Sequence, residues 1–135
     1  MRNLVLIFIG ILAITLISAP AAFSLDTSSP LLCSVINASD CSVEDGCVKG
    51  TADSFDLPQF IKFDLQKKVI FEVGDTGMNR KSEIVNLTNT EDQLIMQGVE
   101  NGRSWSAVIG EQGKMTATVS DSKFGFVIFG ACLRQ

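Results

Sequence analysis

The candidate residues for chemistry in this 135-residue chain are carboxylates, arginines and cysteines, and the sequence contains no histidine and no tyrosine. Without histidine, neither a Ser-His-Asp nor a Cys-His catalytic arrangement can be built. Adjacent or near carboxylates occur at Glu44-Asp45, at Asp53 with Asp56, and at Glu91-Asp92. All three pairs lie in turn-like segments, where acidic side chains are usually solvated. We therefore predict a protein that is not an enzyme and that needs no cofactor.

Metal binding is a weaker alternative for the acidic loops. Residues 40–45 and 75–79 carry several oxygen ligands of the kind that Ca²⁺ prefers, but neither segment matches an EF-hand pattern. The four cysteines are Cys33, Cys41, Cys47 and Cys132, and their spacing lacks the paired short intervals of zinc modules. We predict no metal and two disulfides, Cys33–Cys132 and Cys41–Cys47. The first would join the opening and closing strands, and the second would close a short acidic loop.

Arg80 and Arg103 are the candidate binding residues. Arg103 follows the Asn101-Gly102 turn and Arg80 lies in the polar segment 74–82, so both are placed where a rigid scaffold displays side chains. An arginine fork suits a carboxylate or another anionic group on a partner. In the alternative interpretation Arg103 only pairs with Glu100 across the turn and Arg80 is only solvated. Trp105, nearby in the sequence, is predicted to be a core residue.

The elements that position these residues are antiparallel strands. Asn101-Gly102 is typical of a type I′ hairpin turn, and it predicts that Gly98 opposes Trp105, Met96 opposes Ala107 and Leu94 opposes Ile109. Residues 111–113 form a three-residue turn ending in glycine, which predicts three further pairs: Ile109 with Met115, Ala107 with Ala117, and Trp105 with Val119. Both turns therefore place Trp105, Ala107, Ile109, Met115, Ala117 and Val119 on one buried face. Residues 124–133 form the last strand, with Phe126, Ile128 and Cys132 facing inward.

The rest of the chain adds shorter strands. We predict strands at residues 31–37, 60–65, 69–73 and 84–88, with loops at residues 38–55 and 74–82. The total is about eight short strands, with no amphipathic helix after the N-terminal segment. Successive hairpins favour an all-β domain, a small antiparallel up-and-down barrel or sandwich.

The N-terminal 24 residues have the three parts of a secretory signal peptide. Residues 1–3 are basic, residues 4–17 are apolar, and residues 18–24 are small and helix-breaking. Cleavage fits after Ala21 or after Ser24, with a retained membrane anchor as the alternative. We therefore predict a signal peptide at residues 1–24 and a single disulfide-stapled β domain at residues 25–135, located in the periplasm or secreted.

Charge narrows the class of partner. The full chain has a net charge of −4, and because all 15 acidic but only 10 of 11 basic residues follow residue 24, the mature domain carries about −5. The basic residues are scattered, whereas a nucleic-acid interface requires a clustered positive face. We predict no nucleic acid as partner and no membrane association after signal cleavage.

Several segments resemble a family of small exported proteins of Gram-negative bacteria. They are the Cys33, Cys41 and Cys47 spacing, residues 57–61 with Asp64-Leu65, Arg80, and residues 94–98, 102–106, 113–115 and 126–132. The resemblance implies a periplasmic location and a β-rich domain, and it brings no activity with it. In layout only, the chain is also similar to periplasmic inhibitors of C-type lysozyme. Their inhibitory loop carries a Ser-Gly pair and a tyrosine, both missing here, so no residue of theirs is carried over.

These observations lead to two functional hypotheses. The first is a non-catalytic periplasmic or secreted β-domain that binds a protein or an envelope component. The second is a proteinaceous inhibitor of a hydrolase such as lysozyme, which should project one rigid loop into its target.

Overall fold

The computed structural model describes residues 25–74 and 80–135. The predicted signal peptide and the 75–79 part of the polar segment lie outside these residues. The described chain contains one short 3-10 helix, Asp53–Phe55, and ten strands. The strands are β1 (Leu31–Ser42), β2 (Gly46–Gly50), β3 (Phe60–Asp64), β4 (Val69–Val73), β5 (Lys81–Glu83), β6 (Asn86–Asn89), β7 (Gln93–Glu100), β8 (Arg103–Gly110), β9 (Lys114–Ser120) and β10 (Phe124–Arg134).

All strand pairs are antiparallel and form one curled half-barrel, which confirms the predicted all-β class. The strand order is β5-β4-β3-β1-β10-β9-β8-β7-β6, and β2 pairs with β1 outside this path. The order is up-and-down, with β1 inserted between β3 and β10. The two strands at the ends of the sheet, β5 and β6, are consecutive in the chain. Between them, Ile84 N–H donates to the Lys68 carbonyl (2.8 Å) and Val85 N–H donates to the Gln97 carbonyl (2.9 Å). Residues 84–85 therefore lead the chain from the β4 edge to the β7 edge.

Both predicted hairpin registers are confirmed. Asn101 and Gly102 have φ angles of 50° and 79°, as a type I′ turn requires. Gly98 opposes Trp105, and the other predicted pairs of β7 with β8 and of β8 with β9 form as predicted. In the second turn Gly113 has a φ of 72°, and its N–H donates to the Gly110 carbonyl (2.9 Å).

The inner face of the half-barrel is the hydrophobic core. Five of the six residues predicted for the shared face are buried, and Val119 is partly buried against them. In β10, Ile128 and Cys132 are buried and Phe126 packs against the core, as predicted. The core also contains Leu31, Phe63, Leu65, Ile84, Leu94 and Met96.

The two predicted disulfides are present. Cys33–Cys132, here called the closing disulfide, joins directly opposed residues of β1 and β10 and links positions 99 apart in sequence. Cys41–Cys47, here called the hairpin disulfide, joins directly opposed residues of β1 and β2. The closing disulfide thus ties the first strand to the last, as predicted.

Two predicted segment boundaries are wrong. The loop predicted at residues 38–55 instead contains the second half of β1 and all of β2. β1 stays paired with β10 as far as Ser42 opposite Phe124, so its polar residues are held by backbone hydrogen bonds that composition does not reveal. Of the strand predicted at residues 84–88, only residues 86–88 are in a strand, β6, because Ile84 and Val85 donate to backbone carbonyls on opposite sides, those of Lys68 and Gln97. β5 lies at the end of the segment predicted as the 74–82 loop.

Within residues 25–74 and 80–135, the structure contains no helix with the length and apolar character that a membrane crossing requires.

Candidate binding pocket

A cavity of about 150 Å³ opens at the end of the half-barrel where β7 meets β8 in the Asn101-Gly102 turn. Its walls come from the inner faces of β3, β4, β8, β9 and β10 and from residues 57–58. The lining is mainly apolar and includes Phe63, Ile70, Trp105, Val119, Phe126 and Ile128. Concave apolar sites with a few polar groups at the mouth are the usual form of a small-ligand site.

Trp105 is held rigidly in the wall of this pocket. Its indole N–H donates to the hydroxyl of Ser82 (2.9 Å), and Ser82 is itself buried. Opposite Trp105 stands Gly98, which leaves the space that the ring occupies. The hydrogen bond satisfies the one polar atom of the indole and connects β8 to β5 across the half-barrel.

Arg80 and Arg103, the two binding residues proposed from the sequence, both line this pocket. Arg80 immediately precedes β5 and Arg103 is the first residue of β8. Their side chains are 42% and 46% exposed. The structure therefore brings together two arginines that lie 23 positions apart in the sequence, at the mouth of one apolar cavity.

Arg103 pairs with Asp121 and not with Glu100, which corrects the alternative interpretation made from the sequence. Its Nε lies 3.5 Å from Asp121 Oδ2, and its guanidinium carbon lies 4.8 Å from the centre of the Phe124 ring. Asp121 also accepts the backbone N–H groups of Lys123 (2.8 Å) and Phe124 (3.2 Å). These bonds, that from Lys123 foremost, lower the pKa of the Asp121 carboxyl. Arg103 is thus oriented by a carboxylate and an aromatic ring.

Arg80 pairs with Glu72, whose side chain is only 16% exposed; Nη1 lies 3.6 Å from Oε1. Burial raises the pKa of the Glu72 carboxyl. The positive charge of Arg80 opposes that shift, while the negative charges of Glu100 and Asp56 add to it. Glu72 is therefore a desolvated carboxylate with other acids nearby and one cationic partner.

Four charged residues surround the mouth of the pocket: Glu72, Arg80, Glu100 and Arg103. We call this set the charged rim. In sheet order their charges alternate, since Glu72 is on β4, Arg80 is next to β5, Glu100 ends β7 and Arg103 begins β8. Within this set two carboxylates balance two guanidiniums, and Asp121, the ion-pair partner of Arg103, adds a further negative charge beside the set. A pocket of this kind offers apolar surface inside and both charge signs at its entrance.

Sequence reasoning missed Glu72, Glu100 and Ser82 as members of the site. Glu72 faces inward because Ile70, two residues before it, opposes Phe63 of β3 in the core. The register that pairs Gly98 with Trp105 also places Glu100 opposite Arg103, so the Asn101-Gly102 turn was enough to predict where Glu100 lies. Nothing in the local sequence indicates that Ser82 would meet the indole.

A second exposed feature is the hairpin of β1 and β2, which carries the hairpin disulfide near its tip. Val43 at the tip is 97% exposed, and Glu44 and Asp45 beside it are exposed. Asp45 N–H donates to the Ser42 hydroxyl (3.0 Å), which tightens the turn. The tip is therefore a short, acidic, cross-linked projection.

In the described part of the chain, no three His, Cys, Asp or Glu side chains lie together as metal ligands would. The Asp53 carboxylate accepts hydrogen bonds from the Gln59 side-chain amide at 3.1 and 3.3 Å. Neither family models nor curated proteins nor solved structures match this chain, so the charged rim and its pocket are the basis for a functional assignment.

Proposed function

We propose that the protein is an exported, non-catalytic binding domain that accepts an apolar group of a protein or envelope component in its pocket. Arg80 and Arg103 would contact the polar part of the same partner at the mouth. The observation that carries this proposal is the apolar cavity of about 150 Å³ bordered by both arginines. An apolar cavity of about this volume in another protein accommodates benzene, so a ring or a branched aliphatic group is the right size.

The compartment part of the proposal rests on the disulfides. Two disulfides in a small domain fit an oxidising environment outside the cytoplasm, such as the periplasm. The acidic composition and the scattered basic residues favour a protein or small-molecule partner over nucleic acid.

The pocket can be tested with a neutral probe. Trp105 is the only tryptophan, so benzene in the pocket should change its emission and raise the thermal midpoint. Ala117→Leu would fill the cavity from β9 and should abolish both effects. Thr116→Leu makes a matched addition on the exposed face of the same strand and should preserve them. Benzene effects that are absent from the wild type, or equal in both variants, would reject the pocket as a binding site.

The same pair of variants connects the pocket to a macromolecular partner. A partner captured from periplasmic extract by the wild type should also be captured by Thr116→Leu and should be lost with Ala117→Leu. Retention by a folded Ala117→Leu variant would place the partner on another surface.

Inhibition of a hydrolase such as lysozyme is the second candidate function, and the hairpin tip favours it. An inhibitor needs one rigid projecting loop, and the Val43 tip is exposed and cross-linked by the hairpin disulfide. Residual activity of a C-type lysozyme, measured with increasing amounts of the protein, tests this function directly. We expect Val43→Asp to relieve inhibition and the pocket variant Ala117→Leu to leave it intact. Full lysozyme activity in a tenfold excess of wild-type protein would exclude this target.

A further inference from the structure

The charged rim and the cavity together define a ligand of one chemical class, and the inference rests on the pocket proposed above. We infer that the pocket binds a free apolar α-amino acid in its zwitterionic form. The side chain enters the cavity, the ammonium group lies against the carboxylates of Glu72 and Glu100, and the carboxylate lies against Arg103 and Arg80. Leucine and phenylalanine have side chains of the size that the cavity accommodates.

The first support is the relation between Glu100 and Arg103. They are directly opposed at the end of the β7–β8 hairpin, so their β-carbons are neighbours. Arg103 nevertheless directs Nε to Asp121 and stacks on Phe124, and Glu100 forms no ion pair with any residue of the described chain. A negative and a positive group thus stand side by side without being bonded to each other. The ammonium and carboxylate of an α-amino acid, attached to a single carbon, can bridge such a pair.

The second support is the charge of the mouth. Its four charges alternate in sign, so a simple anion that approaches the arginines also meets the carboxylates of Glu72 and Glu100, with Asp121 beside Arg103. A simple cation meets Arg80 and Arg103 beside the acids. A zwitterion has a complementary partner for both signs, and complementary charge is what discriminates among partners of similar shape.

The third support is the desolvated state of Glu72. Its carboxylate faces inward, has one arginine as its ion-pair partner and lies within the field of Glu100 and Asp56. An ammonium group at the mouth would offset that repulsion. Arg103 in turn uses Nε for Asp121, while a guanidinium carries four more N–H donors on its terminal nitrogens for a carboxylate.

The test uses compounds that share one side chain and differ in charge. L-leucine carries both charges, N-acetyl-L-leucine only the carboxylate, L-leucinamide only the ammonium, and N-acetyl-L-leucinamide neither. Glycine has both charges and no side chain. Each is titrated into the full mature protein and followed by Trp105 emission and by calorimetry. We expect leucine to bind at least about tenfold more tightly than either singly charged analogue, and glycine to show no binding.

Two variants assign the charges to residues. Glu100→Gln should reduce the affinity for leucine about tenfold and should not reduce that for N-acetyl-leucine, whose carboxylate loses a repulsive neighbour. Arg103→Gln should reduce the affinity for leucine and should not reduce that for leucinamide, whose ammonium group loses a repulsive neighbour. Glu111→Gln and Lys114→Gln, at the opposite end of the β8–β9 hairpin, remove the same charges far from the mouth and should change neither.

The outcomes separate this inference from the proposed function. Equal binding of the four leucine compounds would leave the apolar pocket standing and overturn the zwitterion. Tightest binding of N-acetyl-leucine would make the site an anion site read by the arginines, and tightest binding of leucinamide would make it a cation site. Either result overturns the inference. If none of the five compounds binds, the inference is overturned too. If benzene does not bind either, the proposed binding pocket is rejected as well.

Discussion

Gly98→Ala should destabilise the domain by about 2–6 kcal/mol, because β5 and Trp105 leave no space for a methyl group. A β-carbon built at Gly98 would lie 2.5 Å from Cε2 and Cζ2 of Trp105 and closer still to the carbonyl oxygen of Glu83. Neither neighbour is a flexible side-chain end, since one is backbone and the other is an indole anchored to Ser82. Overpacking of this kind costs about 1–3 kcal/mol, and moving the indole off Ser82 adds about 1–3 kcal/mol for a buried N–H without a partner.

The matched control is Gly110→Ala in β8. A β-carbon at Gly110 meets no heavy atom within 4 Å, and this glycine does not need a left-handed backbone. The substitution should be neutral or should stabilise the folded domain by up to about 1 kcal/mol, because alanine lowers the conformational entropy of the unfolded chain. Urea unfolding, followed by both far-UV circular dichroism and Trp105 emission, gives the free energy of unfolding of each variant for comparison with the wild type. A Gly98→Ala variant within about 0.5 kcal/mol of the wild type would refute the close crossing of β5 over β7.

Four further predictions concern stability and processing. Ser82→Ala should cost about 1–3 kcal/mol in urea unfolding, since it leaves the Trp105 N–H buried without an acceptor; Trp105→Ala should cost about 3–5 kcal/mol. Replacing the closing disulfide with serines should cost about 4–5 kcal/mol, and replacing the hairpin disulfide clearly less, because the chain-entropy term grows with loop length. Since the folded pKa of Glu72 is raised, its ionisation opposes folding once the pH exceeds its unfolded value. The stability of Glu72→Gln relative to wild type should therefore be higher at pH 7 than at pH 4, and an equal difference at both pH values would contradict this. Intact-mass measurement of periplasmic protein should show a start between Ala22 and Leu25, and a mass that includes residues 1–21 would refute cleavage.

The turn sequences alone predicted how the strands that flank them pair. The Asn101-Gly102 and 111–113 turns fix the register of β7, β8 and β9, and through it the inward direction of Trp105. The closing disulfide followed from a topological argument, because a curled up-and-down sheet places its first strand beside its last. These features depend on backbone geometry that a few residues determine.

The rest of the site depends on contacts between distant segments. Arg103 could be placed at the mouth from its turn, but its choice of Asp121 over Glu100 depends on where the β9–β10 turn returns. Arg80 meets Glu72 because β5 pairs with β4, and the Glu72 N–H donates to the Arg80 carbonyl (3.2 Å) at the end of that pairing. The second half of β1 was missed because its polar residues are paired by backbone groups, which composition does not report.

The closing disulfide also determines how the domain would respond to mechanical force. The two ends of the domain described here, residues 25–30 and 134–135, lie together, since Gln135 N–H donates to the Pro30 carbonyl (3.0 Å) and Arg134 pairs with Asp26. Cys33 and Cys132 lie just inside those ends and are covalently joined. Tension applied between the two ends would therefore pass through the sulfur–sulfur bond after only a few residues at each end had come loose. The pocket, with every strand from β2 to β9, would remain outside the path of the force.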